Sequence, residues 1–162
     1  EHSYMGFLKI FKKKKDTTIA NGEYIFNIAE CCRPIPGDAI MGFWSEDRKS
    51  ITIHKKSCPK AQSLASTFGD RIVIPQWSQF EDKSFNVRIS LKGLDRVGIL
   101  NDVSRYVAYV MGLSFSKVAL ESKDGIFKGY LELKVKDKQE LDTLIRKLSK
   151  IDGMQSVVRT DL

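Results

Sequence analysis

Three cysteines and one histidine carry the most distinctive chemistry in the 162-residue sequence: adjacent Cys31 and Cys32, then His54, then Cys58 four residues later. Three thiolates and one imidazole would complete a tetrahedral structural zinc site with no open position. The H-x3-C spacing puts His54 at the end of a predicted strand. Cys58 falls at the start of a predicted helix, where backbone N–H groups lower a thiol's pKa. The adjacent pair is less usual than C-x2-C, because neighbouring strand side chains point to opposite faces. Both can reach one ion only where the chain turns, and Arg33, Pro34 and Pro36 are compatible with such a turn. The same four residues are equally compatible with buried, unmetallated thiols. A Cys/His catalytic pair would need an oxyanion-stabilising loop and an orienting group, and neither is identifiable beside His54. Three thiols also make a poor disulfide framework, the count being odd and two of them adjacent.

The elements that must position these residues form a small β-rich unit predicted over 23–78. "YIFNIAE", "AIMGFW" and "SITIH" read as strands, the last two as a hairpin across the polar turn "SEDRK". A short helix is predicted to start near Cys58, with Ser57 as its cap and Pro59 in its first turn. "RIVIPQW" follows as a strand stopped by Pro75. Residues 1–22, with lysines at 12–15, read as a linker or the end of a preceding helix, and 79–84 as a polar connection.

Over 85–162 the periodicity changes. In "FNVRISL", Phe85, Val87, Ile89 and Leu91 alternate with polar residues, as in a half-buried strand. Ile99, Leu100, Val103, Tyr106, Val107 and Val110 recur at helical spacing up to Gly112. "LSFSKVALES" and "GIFKGYLELKV" are two more strands around a turn at 123–125. Asp137 and Glu140 suggest a capping box for a helix whose apolar stripe is Leu141, Leu144, Ile145 and Leu148. "MQSVVRT" closes a β-α-β-β-α-β order, the ferredoxin-like plan. The expected fold class is therefore α+β, a cysteine-bearing β-rich domain followed by a ferredoxin-like domain.

The formal net charge of +7 is spread as +3 over residues 1–22 (five basic, two acidic), +1 over 23–80 (seven and six) and +3 over 81–162 (fifteen and twelve). Neither body is by itself a strongly basic nucleic-acid binder. No stretch approaches about 18 uncharged apolar residues and no secretory pattern opens the chain, so no membrane partner and a cytoplasmic location are expected. A first residue of Glu1 is what a segment of a longer protein would show.

"CCRPIPGDAIMGF" followed by "ITIHKKSC" strongly resembles the C-terminal regulatory region of the long Rel/SpoT stringent-response enzymes, which make and hydrolyse guanosine tetra- and pentaphosphate. In that family a zinc-finger or conserved-cysteine domain precedes an ACT domain. "LKGLDRVGILNDVS" is similar to the first loop and helix of an ACT domain, with Asp95 and Gly98 in its characteristic turn. There Gly98 would let backbone approach a ligand and Asp95 would cap the helix. The resemblance implies zinc on Cys31, Cys32, His54 and Cys58, within a parent GTP pyrophosphokinase and/or (p)ppGpp pyrophosphohydrolase. The catalytic domains would lie upstream, and no G-x4-G-K-[ST] loop is present here.

By the same resemblance the chain would contact ribosomal RNA and uncharged tRNA on a starved ribosome and control the catalytic domains. Arg33, Lys55, Lys56 and Lys60 are candidates for phosphate contacts, and Trp44 or Phe43 for stacking on a base; each is also compatible with a structural or solvated role. Asp95, Arg96, Val97 and Gly98 are the positions where an ACT domain binds an amino acid or pairs with a second copy. Two other classes compete. A free-standing amino-acid-sensing ACT regulator leaves the cysteines unused. An RNA-recognition domain shares the β-α-β-β-α-β order, and "KGYLELKV" with Tyr130 partly imitates its RNA-binding strand, but Glu132 stands where an aromatic is wanted.

Overall fold

The computed structural model describes residues 18–21, 24–80 and 83–160. The lysine run at 12–15 and most of the expected linker lie outside the described residues.

The first sheet contains β1 (Thr18–Asn21), β2 (Tyr24–Ile28), β3 (Ile40–Trp44), β4 (Ser50–Lys55) and β5 (Ile72–Val73), in the order β1-β2-β4-β3-β5. β3 and β4 are the expected antiparallel hairpin, while β2 joins β4 in parallel with Ile28 opposite Ile53. Polar composition predicts a linker as far as residue 22, yet Thr18–Asn21 is a strand. It pairs antiparallel with β2, through ladder hydrogen bonds that a polar sequence supplies as readily as an apolar one.

The helix expected near Cys58 is α1 (Pro59–Thr67). Its N-cap is Cys58 rather than Ser57, with Pro59 at the first position, where a missing N–H costs nothing. The strand expected over 71–77 shrinks to two residues, because a 3-10 turn occupies Gly69–Arg71 and Pro75 removes a donor.

The second sheet contains β6 (Phe85–Leu94), β7 (Phe115–Lys123), β8 (Ile126–Val135) and β9 (Met154–Thr160), in the order β7-β8-β6-β9 and antiparallel throughout. Helices α2 (Ile99–Arg105) and α3 (Lys138–Ser149) complete the ferredoxin-like plan. Phe85, Val87, Ile89 and Leu91 are buried and Asn86, Arg88 and Ser90 only partly so, as the alternation requires.

Past Arg105 the helix continues as a wider π turn over Tyr106–Val110 and stops at Gly112, whose φ is +66°. That turn takes Val110 out of the register set by Ile99, Val103 and Val107, while Leu100 lies off the buried face before the turn begins. Ile99, Val103 and Val107 are buried, whereas Leu100 and Val110 are exposed, contrary to the helical-spacing expectation. At α3, the Asp137 carboxylate accepts from the Glu140 N–H at 2.8 Å, and Glu140 reaches back to the Lys136 N–H, one residue before the N-cap. Leu141, Leu144 and Leu148 turn inward as expected.

The two sheets share one apolar core. Phe26, Ile28, Ile35, Ile51 and Ile53 of the first unit are continuous with Val87, Leu133, Val135 and Leu141 of the second. Within the expected polar connection one residue, Phe80, is apolar and buried. Phe80 is 2% exposed and packs edge-to-face on Phe26 at 4.9 Å, and Trp77 meets Phe85 at 5.4 Å. A smaller cluster of Ala29, Cys32, Phe43, Cys58 and Ala61 lies against α1.

Candidate metal centre and the contact beside it

The adjacent cysteines sit in a tight turn after β2. The Arg33 N–H donates to the Ala29 carbonyl at 3.0 Å, and Arg33 itself has φ +42°. This is the turn that adjacent ligands require, because it cancels the strand alternation that would send the two sulfurs to opposite faces. β4 delivers His54 and the N-cap of α1 delivers Cys58.

The four ligand atoms lie within 4.8 Å of one another. Cys31 Sγ is 3.9 Å from Cys32 Sγ, 3.7 Å from Cys58 Sγ and 3.4 Å from His54 Nδ1, and Cys32 Sγ is 3.8 Å from the same nitrogen. Thiolates on a tetrahedral zinc stand about 3.8 Å apart, and a thiolate and an imidazole nitrogen about 3.5 Å apart. The spacing therefore fits zinc, and the donor set of three sulfurs and one nitrogen suits it.

The protonation preferences agree. Burial, then the neighbouring Cys58, pushes the Cys31 thiol up, and burial carries Cys32 to about 12 despite the Lys55 N–H donated to its sulfur at 3.3 Å. Burial and then the Lys60 charge push His54 down, leaving a neutral imidazole with a free lone pair. At Cys58 burial acts upward, but the Ala61 and Lys60 N–H groups at the open start of α1 and the Cys31 thiol outweigh it, so this thiol lies below its ordinary value. Cys58 is thus the readiest thiolate, and a cation there would have to displace the protons of Cys31 and Cys32.

The residues considered for RNA contact are dispersed. Lys60 is exposed and close enough for its charge to bear on Cys31 and His54. Lys55 and Lys56 line a cleft against the second domain. Arg33 is only partly exposed and faces Glu132 of β8 at 3.7 Å, rather than standing open beside the cysteines. Trp44 is half buried with Tyr24 edge-to-face on it at 5.0 Å, and Phe43 is buried near His54.

In the 95–98 loop, Gly98 is the N-cap of α2 with φ +87°, a conformation that favours glycine. Asp95 does not cap the helix, because its carboxylate accepts from the Ser122 hydroxyl while its N–H donates to the Gly125 carbonyl. Arg96 is tied to Asp102 and to the Asp152 carbonyl, and Val97 is fully exposed. Tyr130 lies under the Arg88 guanidinium, 4.1 Å from its ring centroid, with the Lys117 ammonium at 5.4 Å.

Sequence reasoning missed the contact beside the cysteines. Arg159 of β9 donates to both oxygens of Asp38, at 2.9 Å each, and to the Arg33 carbonyl at 3.1 Å. The Trp77 indole donates to the Asp38 carbonyl, and the Lys138 N–H donates to the Pro36 carbonyl at 2.8 Å. The loop from Cys32 to Asp38 therefore carries metal-type ligands at one end and holds the second domain at the other. One signal was available: Arg159 occupies an inward register position, opposite Ile89 and two residues from buried Val157. A cation there calls for a buried partner.

Comparison with known proteins agrees with this division. The family model for the RelA/SpoT RIS domain matches residues 18–78 and that for the ACT domain matches 81–159. A GTP pyrophosphokinase of Haemophilus influenzae is 29% identical over 132 residues, taking in 79% of this chain and 17% of its own length. The bifunctional (p)ppGpp synthase/hydrolase RelA of Mycobacterium tuberculosis is 30% identical over 132 residues, 82% of this chain and 18% of its own. The ACT domain of a Chlorobium tepidum GTP pyrophosphokinase, solved as a crystal structure, is 31% identical over 48% of this chain and all of its own, with a TM-score of 0.45.

The fold and the two matches define a regulatory pair of domains, RIS followed by a ferredoxin-like ACT domain. The chain belongs to the RelA/SpoT family and fits its C-terminal regulatory region. It spans less than a fifth of the length of these two curated relatives. Among the described residues no helix is long and apolar enough to cross a membrane.

Proposed function

We propose that this chain is the sensing end of a cytoplasmic (p)ppGpp synthetase, hydrolase or bifunctional enzyme, associated with the ribosome when active. It contacts ribosomal RNA and uncharged tRNA and passes the starvation signal to catalytic domains upstream. The observation that carries this reading is the convergence of Cys31, Cys32, His54 and Cys58 within the segment matched by the RelA/SpoT RIS domain.

Zinc held by those four residues would act as a structural cross-link, not as a reagent, since all four positions are filled by protein. The chain's own residues do the positioning. The turn at 29–33 aims both sulfurs, β4 fixes the imidazole, and the same loop ends in the Asp38–Arg159 pair that holds the ACT domain. Lys60 and Lys56, both exposed, are the proposed RNA phosphate contacts on this side. The exposed loop at 95–98 supports an additional role for the ACT domain, binding an amino acid or a second copy of the chain.

The test is co-sedimentation with ribosomes carrying uncharged tRNA in the A site. The chain should pellet with these ribosomes, and the Cys31→Ser/Cys32→Ser variant should not. Pelleting no greater than with tRNA-free ribosomes would refute the reading.

A further inference from the structure

Arg33 follows Cys32 directly and is held by both domains. Its N–H donates to the Ala29 carbonyl of the RIS unit at 3.0 Å, while its own carbonyl accepts from Arg159 Nη2 of the ACT domain at 3.1 Å. Its guanidinium faces Glu132 at 3.7 Å, and Arg88 grips the same carboxylate. Further along, Ile35 is fully buried in the shared core and the Pro36 carbonyl accepts from the Lys138 N–H at 2.8 Å. Asp38 closes the loop, accepting from the Ile35 N–H at 2.8 Å and from two guanidinium nitrogens of Arg159 at 2.9 Å each.

The backbone of Arg33 is where these contacts bear on the cysteines. Its φ of +42° is a left-handed conformation that residues with a side chain seldom adopt. Such a residue stays there where its surroundings hold it. Ala29 fixes the peptide before Arg33, and Arg159 fixes the peptide after it. Relaxation of Arg33 to a negative φ would undo the turn and restore the strand alternation that sends adjacent sulfurs to opposite faces. The Lys55 N–H, 3.3 Å from the Cys32 sulfur, steadies that sulfur and not the turn.

We propose that Arg159 is a positioning residue for the metal centre: from the ACT domain it holds the turn that converges Cys31 and Cys32, so that metal binding and domain docking strengthen one another. The inference rests on the reading of Cys31, Cys32, His54 and Cys58 as a metal site. The coupling is reciprocal by linkage, because whatever factor docking adds to metal affinity, bound metal returns to the docking of the two domains. Displacement of the ACT domain would therefore weaken the metal centre without touching any of its four ligands.

The test is titration of the metal-free chain with cobalt(II), whose visible bands report tetrahedral thiolate coordination where zinc gives none, followed by displacement with zinc. Arg159→Ala should weaken both metals about ten-fold with the cobalt bands in their original positions, and Arg159→Lys about three-fold. Val103→Ala, which opens a cavity in the ACT core at α2, should bind both metals as the unsubstituted chain does. Near-ultraviolet circular dichroism checks that each variant is folded. In the reverse direction, zinc should slow hydrogen exchange at the Lys138 amide about ten-fold in the unsubstituted chain and less in Arg159→Lys. Undiminished affinity in Arg159→Lys, or in Arg159→Ala where it folds, or an equal loss in Val103→Ala, would overturn the proposal and leave the metal site standing. Absence of thiolate bands in the unsubstituted chain would refute the metal site and the proposal with it.

Discussion

Arg159 and Asp38 form a two-pronged ion pair across the domain boundary, each guanidinium nitrogen 2.9 Å from its own carboxylate oxygen. Their side chains are 16% and 9% exposed, so neither charge has much access to water without the other. Removing one partner strands the other. Arg159→Ala is expected to destabilise the chain by about 3 kcal/mol in urea unfolding, with Arg159→Lys recovering only part because it cannot make the parallel pair.

The pair also sets an acid limit. Burial alone would raise the Asp38 carboxyl, but hydrogen bonds from Arg159 and the Ile35 N–H hold it below its ordinary value. As pH falls, the unfolded chain therefore takes up the Asp38 proton first. The stabilisation is complete above the unfolded value of about 4 and is lost as pH falls through the lower folded value. Stability measured from pH 6 down to pH 2 should drop less steeply in Asp38→Asn than in the parent.

Gly37→Ala isolates the close approach of the two domains. The substitution imposes a φ of +103° on a residue with a side chain and drives its β-carbon against Lys138 Cβ, which cannot swing aside as a side-chain end could. A loss of about 2 kcal/mol is expected from strain and displacement together. Gly112→Ala has a φ of +66° and nothing within 4 Å of its β-carbon, so it should cost about 1 kcal/mol.

Phe80 anchors the connection. Because it is buried against Phe26 and joins the two halves of one core, Phe80→Ala should cost about 3–4 kcal/mol. The halves should still unfold together in the unsubstituted protein, giving coincident transitions when followed by the fluorescence of Trp44 and Trp77 and by far-ultraviolet circular dichroism.

The sequence made the ACT half legible because its signals are local. Strict alternation from Phe85 to Leu91, the Asp137–Glu140 cap and the stripe of Leu141, Leu144 and Leu148 each lie within one element. What escaped was non-local or carried by backbone. β1 exists through its ladder to β2, which composition does not encode, and the π turn at Tyr106–Val110 shifts the register of a helix whose spacing looked regular. The four residues of the candidate metal centre were legible. The turn that lets Cys31 and Cys32 converge was suggested by the prolines but not fixed by them, since it depends on the Arg33 to Ala29 hydrogen bond. Arg33 looked like a surface cation and is instead drawn to Glu132, a residue 99 positions away.

The central claim is that Cys31, Cys32, His54 and Cys58 form one structural zinc site. Metal content by mass spectrometry, on protein purified without chelator, tests it most directly. The account predicts about one zinc per chain, strongly reduced in Cys58→Ser. Less than about a tenth of an equivalent in the parent protein would contradict it, because structural sites bind tightly enough to survive purification.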